Sequence, residues 1–220
     1  MGAARRDVYH ADALPWLRER GTLDDASVIT SLPDVSELPH LGLDGWRAWF
    51  EEAAALAIAV APEDAVTIFF QSDIRHRGAW IDKGALVTRA AERAGATLLH
   101  HKIVCRRPPG TLTRGRASYS HLLAFSRRLR PSLRHATPDV LAAAGEMPTP
   151  KSMGVLACLD ACRFVIAETR TRTIVDPFCG AGTVLAVANA LGLDAVGVDC
   201  STRACRRART LQVALPEATA

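Results

Sequence analysis

Apolar residues along this chain fall into two kinds of pattern, short compact runs and longer stretches with helical spacing. The compact runs are four to eleven residues long, are rich in β-branched and aromatic residues, and predict strands. They lie at 7–11, 26–31, 65–71, 97–106, 117–127 and 173–176. The segment 130–150 is rich in proline, has no such pattern, and is predicted to be irregular.

Between the strands, apolar residues recur at the spacing of a helix that is buried on one side. The range 45–61 predicts an amphipathic helix with Trp46, Trp49 and Phe50 on its apolar side. The range 82–95 predicts a second helix that Asp82 caps and Gly95 ends, and a third is expected over about 152–168. Alternation of strands and helices favours an open α/β sheet.

The most specific stretch is "TIVDPFCGAGTVLAVANALGLDAVGVDC", residues 173–200. A buried strand ends at Asp176, and Gly180 and Gly182 permit a tight turn that brings backbone close to a ligand. Thr183 then opens a helix whose amides face that ligand. A second strand ends at Asp199, where an acid typically accepts hydrogen bonds from ribose hydroxyls. The pattern therefore predicts a nucleotide site, although a dinucleotide fingerprint would need a small residue in place of Leu185.

This stretch closely resembles the "DPF-x-GxGT" motif with which amino-methyltransferases bind S-adenosylmethionine. The family comprises the DNA N4-cytosine and N6-adenine class and its RNA-modifying relatives. In one of its groups the chain is circularly permuted, so that the catalytic half precedes the cofactor half. Three segments resemble that group in the same order: "VYHADALPWL", "SVITSLPD" and "TPKSMGVLACL". The resemblance therefore covers nearly the whole chain.

The resemblance implies a single Rossmann-like methyltransferase domain over 1–220, with a seven-stranded, mostly parallel and circularly permuted sheet. The catalytic half would be 1–127, a short insert 128–150, and the cofactor half 151–220. One antiparallel strand is expected near 117–127. The strand 172–176 is expected beside 26–31, although the two are far apart in sequence.

The resemblance also implies S-adenosylmethionine as the cofactor and a set of residues around it. Asp199 would hold the ribose, Cys200 would flank the adenine, and Asp12 would approach the adenine amino group. An ordinary strand–helix turn is the alternative for the glycines, a helix cap for Asp12, and a surface position for Lys151. The full implied set is Asp12, Lys151, Ser152, Met153, Asp176, Phe178, Gly180, Gly182, Thr183, Asp199 and Cys200.

The catalytic segment implied by the resemblance is "TSLPDVSELP", residues 30–39. In the family, the first side chain of an Asp/Asn/Ser-Pro-Pro-Tyr sequence and the next carbonyl accept hydrogen bonds from the target amine, and the aromatic stacks on the base. Here Ser31 and Pro33 keep two positions, whereas Leu32 and Asp34 replace the first proline and the aromatic. We expect Asp34 to be the active acid and Ser31 and the Leu32 carbonyl to align the substrate, with Glu37 as a second candidate acid. Turn and surface roles are the alternatives for the two acids.

Aspartate cannot stack on a base, so another aromatic is needed if the family mechanism holds. Trp46, Trp49 and Trp80 are the candidates for that platform, although a position in the core or at its rim is the favoured alternative for each of them. The tripeptide "SLP" also resembles the "NLP" of methyltransferases that modify guanine N1 in tRNA. Methylation of a ring nitrogen therefore stays open beside methylation of an amine.

Charge points to an anionic partner. The net charge is +4, yet residues 101–135 hold nine Lys or Arg and no acid. Such a block predicts contact with nucleic-acid phosphates, with a solvated basic face as the alternative. Arg127, Arg128 and Arg130 are expected to contribute. A second group, in the segment 69–83, is expected to hold a phosphate and stack a base, the alternative being a polar loop: Gln71, Asp73, Arg75, Trp80 and Lys83.

The short insert decides which polymer is favoured at this stage. About 25 residues, 127–150, stand where sequence-specific relatives carry a large target-recognition insert. The sequence therefore favours an RNA methyltransferase acting on tRNA, because a folded RNA is recognised by shape and phosphates. A DNA N4-cytosine or N6-adenine methyltransferase is the alternative. A small-molecule methyltransferase or a non-catalytic module is a further alternative.

Cysteine spacing and hydropathy indicate the cellular compartment in which we expect the protein. None of the six cysteines forms a C-x-x-C pair, so no metal site is expected from them. No apolar run reaches the length of a membrane helix, and the N-terminal residues lack an apolar signal core. We expect a cytoplasmic protein.

Overall fold

The computed structural model describes residues 4–132 and 136–216. Within these ranges the chain forms ten strands, six α-helices and a short 3-10 helix at Pro39–Leu41. The strands are β1 (Arg6–His10), β2 (Ala26–Thr30), β3 (Thr67–Gln71), β4 (Ile74–His76), β5 (Ala79–Ile81), β6 (Thr97–Cys105), β7 (Tyr119–Ser126), β8 (Val140–Leu141), β9 (Thr173–Asp176) and β10 (Asp194–Asp199). The helices are α1 (Ala13–Arg20), α2 (Gly42–Val60), α3 (Lys83–Arg93), α4 (Val155–Glu168), α5 (Thr183–Ala190) and α6 (Thr202–Thr210).

Eight of these strands form one sheet in the order β1-β10-β9-β2-β3-β7-β6-β8. Strand β7 runs antiparallel to both of its neighbours, and the other pairings are parallel. The predicted mostly parallel α/β sheet and its one antiparallel strand are confirmed. The expected number of strands was seven, and the additional one is β8. A two-residue strand inside a proline-rich segment has no periodicity to reveal it, and it forms by pairing with Ile103 and Val104 of β6.

Strands β2 and β9 are direct neighbours, with Ala26 opposite Thr173 and Val28 opposite Val175. The predicted adjacency of these two distant segments is therefore confirmed. It places the segment that follows β2 beside the glycine turn that follows β9. Circular permutation remains an interpretation of this strand order.

Helices cover both faces of the sheet. Successive side chains of a strand point to opposite faces, so each strand contributes side chains to the packing on both sides. On one face α1, α2 and α3 share one core, which contains Trp46 and Phe50 of α2 together with Phe69 of β3 and Phe125 of β7. On the other face α4, α5 and α6 pack through a second core that contains Ile68, Leu122, Ile174 and Leu185. Both faces being buried explains the continuous apolar runs in the central strands.

The carboxyl ends of the parallel strands meet at one edge of the sheet, which we call the carboxyl edge. It carries the segments after β2, β3, β9 and β10, and it also carries the start of β7, because that strand runs in the opposite direction. Between β3 and α3, where a polar loop was the alternative expectation, the chain forms a hairpin of β4 and β5. In the part of the chain that is described, no helix combines the length and apolar character needed to cross a bilayer.

Candidate functional site

A cavity of about 790 Å³ opens at the carboxyl edge between the two halves of the chain. Its volume lies within the range of about 300–1,000 Å³ that small-molecule sites occupy. Every cofactor residue expected from the sequence lines it except Gly182, and so do Ser31, Leu32, Pro33 and Glu37 from the expected catalytic segment. The fold therefore brings these two groups to one wall although they are far apart in sequence.

Asp176, at the end of β9, is buried in the wall of this cavity. Its Oδ1 accepts a hydrogen bond from the Thr30 hydroxyl at 2.7 Å and a longer one, at 3.2 Å, from the Phe178 amide. Burial, with a smaller contribution from the charge of Asp199, nevertheless raises the pKa of the Asp176 carboxyl to about 7. A cation bound beside Asp176 would favour its ionised form, so this wall is suited to a positively charged ligand group.

Asp199, at the end of β10, is held by the backbone of two neighbouring turns. Gly180 donates its amide to Oδ2 at 3.0 Å, and Ser201 donates its amide to Oδ1 at 2.7 Å. Each oxygen keeps a free lone pair, because an ionised carboxylate offers about four acceptor positions. The fixed carboxylate can therefore accept hydrogen bonds from a pair of hydroxyl groups.

Gly180 and Thr183 leave room and hydrogen-bonding capacity on the same wall. Gly180 has φ +49°, and a Cβ there would meet no atom within 4 Å, so the backbone borders open space. The Thr183 hydroxyl is buried and has no hydrogen-bond partner among the described residues. Because it stands in the first turn of α5, where amides carry partial positive charge, it can donate to an anionic group.

Gly182 has a packing role. Its φ is +83°, and an added Cβ would lie 2.7 Å from Cα of Ala208 in α6. Gly182 is buried and does not line the cavity. The expectation that it contacts the cofactor is therefore corrected: this glycine lets α5 begin in contact with α6, which sequence alone does not reveal.

A hydrogen bond from the core residue Trp46 holds the expected catalytic segment in place. The indole Nε1 of Trp46 donates to the Pro33 carbonyl at 3.1 Å, and Trp46 is fully buried. The expectation that Trp46 could stack on a base is therefore wrong, because the ring belongs to the core. Ser31 stays half-buried on the cavity wall, and Leu32 packs beneath it.

Asp34 does not line the cavity and forms an ion pair with Lys83 instead. The Lys83 side chain is 4% exposed, whereas the Asp34 side chain is 34% exposed. A buried ammonium group needs a counter-ion, and Asp34 supplies it. Two expectations are corrected here: the carboxylate of Asp34 is engaged away from the cavity, and Lys83 is not free to bind a phosphate.

Glu37 links the catalytic segment to the cofactor half. Its Oε1 accepts a hydrogen bond from the Asp34 amide at 3.0 Å, and its Oε2 lies 3.0 Å from Nζ of Lys151. Both Glu37 and Lys151 line the cavity and are partly exposed. Exposed pairs of this kind contribute only about 0–1 kcal/mol, so a ligand can readily compete for either group.

Of the remaining tryptophans, Trp49 is the one that reaches the cavity. It contacts Phe178 edge to face, with ring centroids 5.6 Å apart. Trp80 is 55% exposed and lies on the hairpin outside the cavity. The cavity wall also includes Arg18 and Thr149, which no sequence signal distinguished because they lie on a helix surface and in an irregular segment.

The structure separates the expected substrate residues of segment 69–83. Gln71 is completely buried, so its expected contact with a polymer is corrected. Asp73 accepts a hydrogen bond from the Lys83 amide at 2.9 Å and lies close to His121. Arg75 and Trp80 remain exposed on the hairpin.

The basic block divides between opposite edges of the sheet. Arg127, Arg128 and Arg130 follow the end of β7 and lie at the edge opposite the cavity, because β7 is antiparallel. Arg127 donates to the Ala61 carbonyl at 2.7 Å and Arg130 to Thr97 at 3.2 Å. Their expected contact with a substrate at the cavity is thus corrected, and Arg134 lies outside the described residues.

The β6–β7 loop keeps the other arginines at the carboxyl edge. Arg107, Arg114 and Arg116 are exposed there, and a backbone bridge between Ile74 and Arg116 docks this loop on the hairpin. Arg106 differs, since it donates to the Pro150 carbonyl at 3.0 Å and holds the segment beside the cavity. The loop and the hairpin together present positive charge and an exposed tryptophan next to the cavity.

Comparison with known proteins reveals relatives in structure only. No protein-family model matches the chain, and no curated protein sequence is significantly similar to it. Many solved structures share its fold. One is the PvuII DNA methyltransferase, which is cytosine-N4-specific, with a TM-score of 0.72 and 16% identity over 96% of this chain and 88% of that one.

Two further structures contain the cofactor that the sequence resemblance implies. A protein of Thermus thermophilus assigned as a DNA modification methylase, in complex with S-adenosyl-L-methionine, has a TM-score of 0.70 and 16% identity over 93% of both chains. The SAM complex of M1.HpyAVI has a TM-score of 0.60 and 14% identity over 93% of this chain and 97% of that one. The expected methyltransferase fold is thereby confirmed: this chain has the α/β fold that these three structures share.

Proposed function

We propose that this protein is an S-adenosylmethionine-dependent methyltransferase that acts on the exocyclic amine of a DNA base. The observation that carries the proposal is the shared wall of the cavity. There Asp199, Thr183 and Asp176 stand next to Ser31 and Leu32. Groups suited to the cofactor and groups suited to an amine thus meet at one place.

The residues of the cavity fit the chemical parts of S-adenosylmethionine. The fixed carboxylate of Asp199 suits the two ribose hydroxyls, as acids at this position of a Rossmann-like sheet do. The unpaired Thr183 hydroxyl at the start of α5 suits the carboxylate of the methionine part. The carboxyl group of buried Asp176 suits the positive charge of the same methionine part. Asp12, at the cap of α1, and Cys200 remain our proposed neighbours of the adenine.

Catalysis in this proposal is largely alignment. S-adenosylmethionine supplies an electrophilic methyl group. Ser31 and the Leu32 carbonyl would accept hydrogen bonds from the target amine and direct its lone pair at the methyl group. Holding the two reactants in this geometry makes the transfer effectively unimolecular. Pro33 and Trp46 hold this segment in place. We assign Asp34 to fixing the segment through Lys83, and Glu37 and Lys151 to the rim of the cavity.

DNA is the better supported substrate. The sequence favoured RNA because the insert is short, but none of the structural neighbours reported above is described as RNA-modifying, and two of them are described as DNA-modifying. The hairpin and the β6–β7 loop offer a recognition surface that does not depend on an insert. Trp80 with Arg75, and Arg107 with Arg114 and Arg116, would contact bases and phosphates there. Trp49 would face a base inside the cavity.

Transfer of a labelled methyl group tests the proposal. Purified protein is incubated with S-adenosylmethionine carrying a labelled methyl group and, in parallel, with duplex DNA, total tRNA or no polymer. Label is expected in DNA. Ser31→Ala is expected to lower the single-turnover rate while cofactor affinity is retained, because an aligning group is lost. Incorporation into tRNA alone would restore the RNA reading, and binding of the cofactor without transfer to any polymer would overturn the proposed reaction.

A further inference from the structure

Next to the cavity, the carboxyl edge holds a second polar cluster that the proposed reaction does not use. It consists of Asp73, which follows β3, Asp82, which precedes α3, and His121, near the start of β7. Each residue offers one ligand atom, and these atoms all lie within 4.8 Å of one another. We propose that Asp73, Asp82 and His121 form a binding site for a divalent transition-metal ion such as Zn²⁺.

The carboxylates are oriented as metal ligands are. Oδ1 of Asp73 accepts the Lys83 amide at 2.9 Å, and Oδ1 of Asp82 accepts the Ala85 amide at 2.8 Å. One oxygen of each carboxylate is thus tied to the backbone. Oδ2 of Asp73 accepts a long hydrogen bond of 3.4 Å from the Tyr119 hydroxyl and faces Nε2 of His121 at 3.1 Å, a contact that a bound ion would replace. Such outer hydrogen bonds fix the geometry of ligating carboxylates in metal sites.

His121 is oriented in the same way. Its Nδ1 lies 2.9 Å from Nε2 of His101, while its Nε2 lies 3.1 Å from Oδ2 of Asp73. Histidine ligands usually hold their second ring nitrogen in a hydrogen bond, which fixes the tautomer. The imidazole also packs against Gly84, where an added Cβ would lie 3.2 Å from the ring. His121 is therefore held with Nε2 directed at the carboxylate of Asp73.

Gln71 provides an independent sign that a ligand belongs here. Its side chain is completely buried, and both its amide oxygen and its amide nitrogen lack a partner among the described residues. Gln71 is directly opposite His121 in the β3–β7 ladder, so the two side chains share a face of the sheet, with Cβ atoms about 5 Å apart. An unpaired buried amide costs about 1–3 kcal/mol, and an ion or an ion-bound water would satisfy its oxygen.

The chemistry of the donors matches a transition metal. One imidazole nitrogen and two carboxylates suit Zn²⁺, with bonds of about 2.0–2.2 Å. The two carboxylates neutralise the ion, while the nearby Lys83 ammonium is already paired with Asp34. Asp73 and Asp82 flank the β4–β5 hairpin, so the ion would join both ends of this hairpin to the sheet. Its expected role is to fix the hairpin beside the cavity.

Calorimetric titration of chelator-treated full-length protein with ZnCl₂ tests this site. Binding of one ion is expected, and at about 100-fold excess over the dissociation constant the midpoint of thermal unfolding should rise by about 5–10 °C. Asp82→Asn is the main variant, since asparagine caps a helix as well as aspartate does, and it should lower affinity at least about 10-fold. His121→Gln should do the same. His76→Gln, on the hairpin outside the cluster, should bind like the wild type.

Two results would overturn the proposal. One is absence of Zn²⁺ binding by the wild type at millimolar concentration. The other is equal binding by the wild type, Asp82→Asn and His121→Gln, which would place the ion elsewhere, for example on the exposed Cys200. Titration with Co²⁺ separates these cases, because only a cysteine-bound ion gives thiolate charge-transfer absorption. Neither result bears on S-adenosylmethionine binding, so the proposed methyltransferase reaction is tested independently.

Discussion

Thr30 Oγ1 donates a hydrogen bond of 2.7 Å to Asp176 Oδ1 across the pairing of β2 with β9. The two residues are 146 positions apart and lie in the two halves of the chain. Their bond is buried, and it sits where the catalytic segment and the glycine turn leave the sheet side by side. The site we propose is thus built on a direct contact between both halves.

Replacing Asp199 with alanine should weaken S-adenosylmethionine binding by about 1.5–3 kcal/mol, because hydrogen bonds to a charged acceptor are lost. Calorimetry measures this directly. Asp194→Ala is the matched control, since Asp194 begins the same strand at the opposite edge of the sheet. Equal affinity in Asp199→Ala and the wild type would remove the ribose role of Asp199.

Cofactor affinity should depend on the ionisation of Asp176. Since burial raises the pKa of this carboxyl to about 7 in the ligand-free protein, affinity for a cationic ligand should increase as pH rises through 7 and then level off. Asp176→Asn should abolish this pH dependence and weaken binding. A wild-type affinity that is constant between about pH 6 and pH 8 would contradict the assignment.

The Asp176 carboxyl should also make the free energy of unfolding depend on pH, but in the opposite direction to cofactor affinity. Its folded pKa is above its unfolded value of 3.8, so the folded state binds more protons between about pH 4 and pH 7. The contribution of Asp176 to the free energy of unfolding should therefore fall as pH rises through this range. In urea titrations, the difference in stability between Asp176→Asn and the wild type should grow in favour of the variant up to about pH 7. A difference independent of pH would refute this.

Gly180→Ala and Gly182→Ala form a matched pair that separates ligand contact from packing. Both glycines have positive φ, but only the Cβ at 182 would meet backbone, at 2.7 Å from Ala208. Gly182→Ala should lose about 2–4 kcal/mol of stability from overpacking and strain. Gly180→Ala should lose about 1 kcal/mol and chiefly affect cofactor binding. Similar losses of stability in the two variants would argue against this distinction.

The ion pair of Asp34 with Lys83 should contribute to the free energy of unfolding and have no direct part in methyl transfer. Asp34→Asn leaves a buried ammonium without a counter-ion, which should cost about 2–4 kcal/mol. Lys83→Met together with Asp34→Asn should recover part of that loss, since the charge is removed as well. Chemical denaturation of the wild type, the two single variants and the double variant measures the coupling. If Asp34→Asn is fully stable but at least about 100-fold slower in single turnover, Asp34 is an active acid after all.

The two groups of surface arginines should contribute differently to DNA binding. Replacing Arg107, Arg114 and Arg116 with alanine should weaken binding and flatten its dependence on salt, because fewer counterions are released. The same change at Arg127, Arg128 and Arg130 should have little effect, since these residues lie at the far edge of the sheet. Fluorescence anisotropy at several salt concentrations distinguishes them, and equal effects would contradict the assignment of the carboxyl edge.

Much of this arrangement is readable from sequence because local chemistry and strand patterns determine it. The motif from Asp176 to Asp199 fixes a strand, a turn, a helix and a second strand, and the structure places its expected cofactor residues, apart from Gly182, around one cavity. The strand pairing of 26–31 with 172–176 also followed from the order of the motifs.

The remaining features depend on contacts that only the folded chain creates. The direction of β7 decides that Arg127 and Arg114 lie at opposite edges, although both belong to one basic block. The burial of Lys83 decides that Asp34 is a counter-ion. The packing of α5 on α6 decides that Gly182 is structural. None of these is encoded in a short motif.

Identification of the modified nucleoside tests the central claim most directly. DNA is treated with the protein and S-adenosylmethionine, digested to nucleosides and analysed by mass spectrometry, with Asp199→Ala as the control. The predicted product is N4-methylcytosine or N6-methyladenine, formed by the wild type and much reduced in the variant. Methylation at a carbon or a ring nitrogen, or no modified nucleoside from DNA, would contradict transfer to an exocyclic amine.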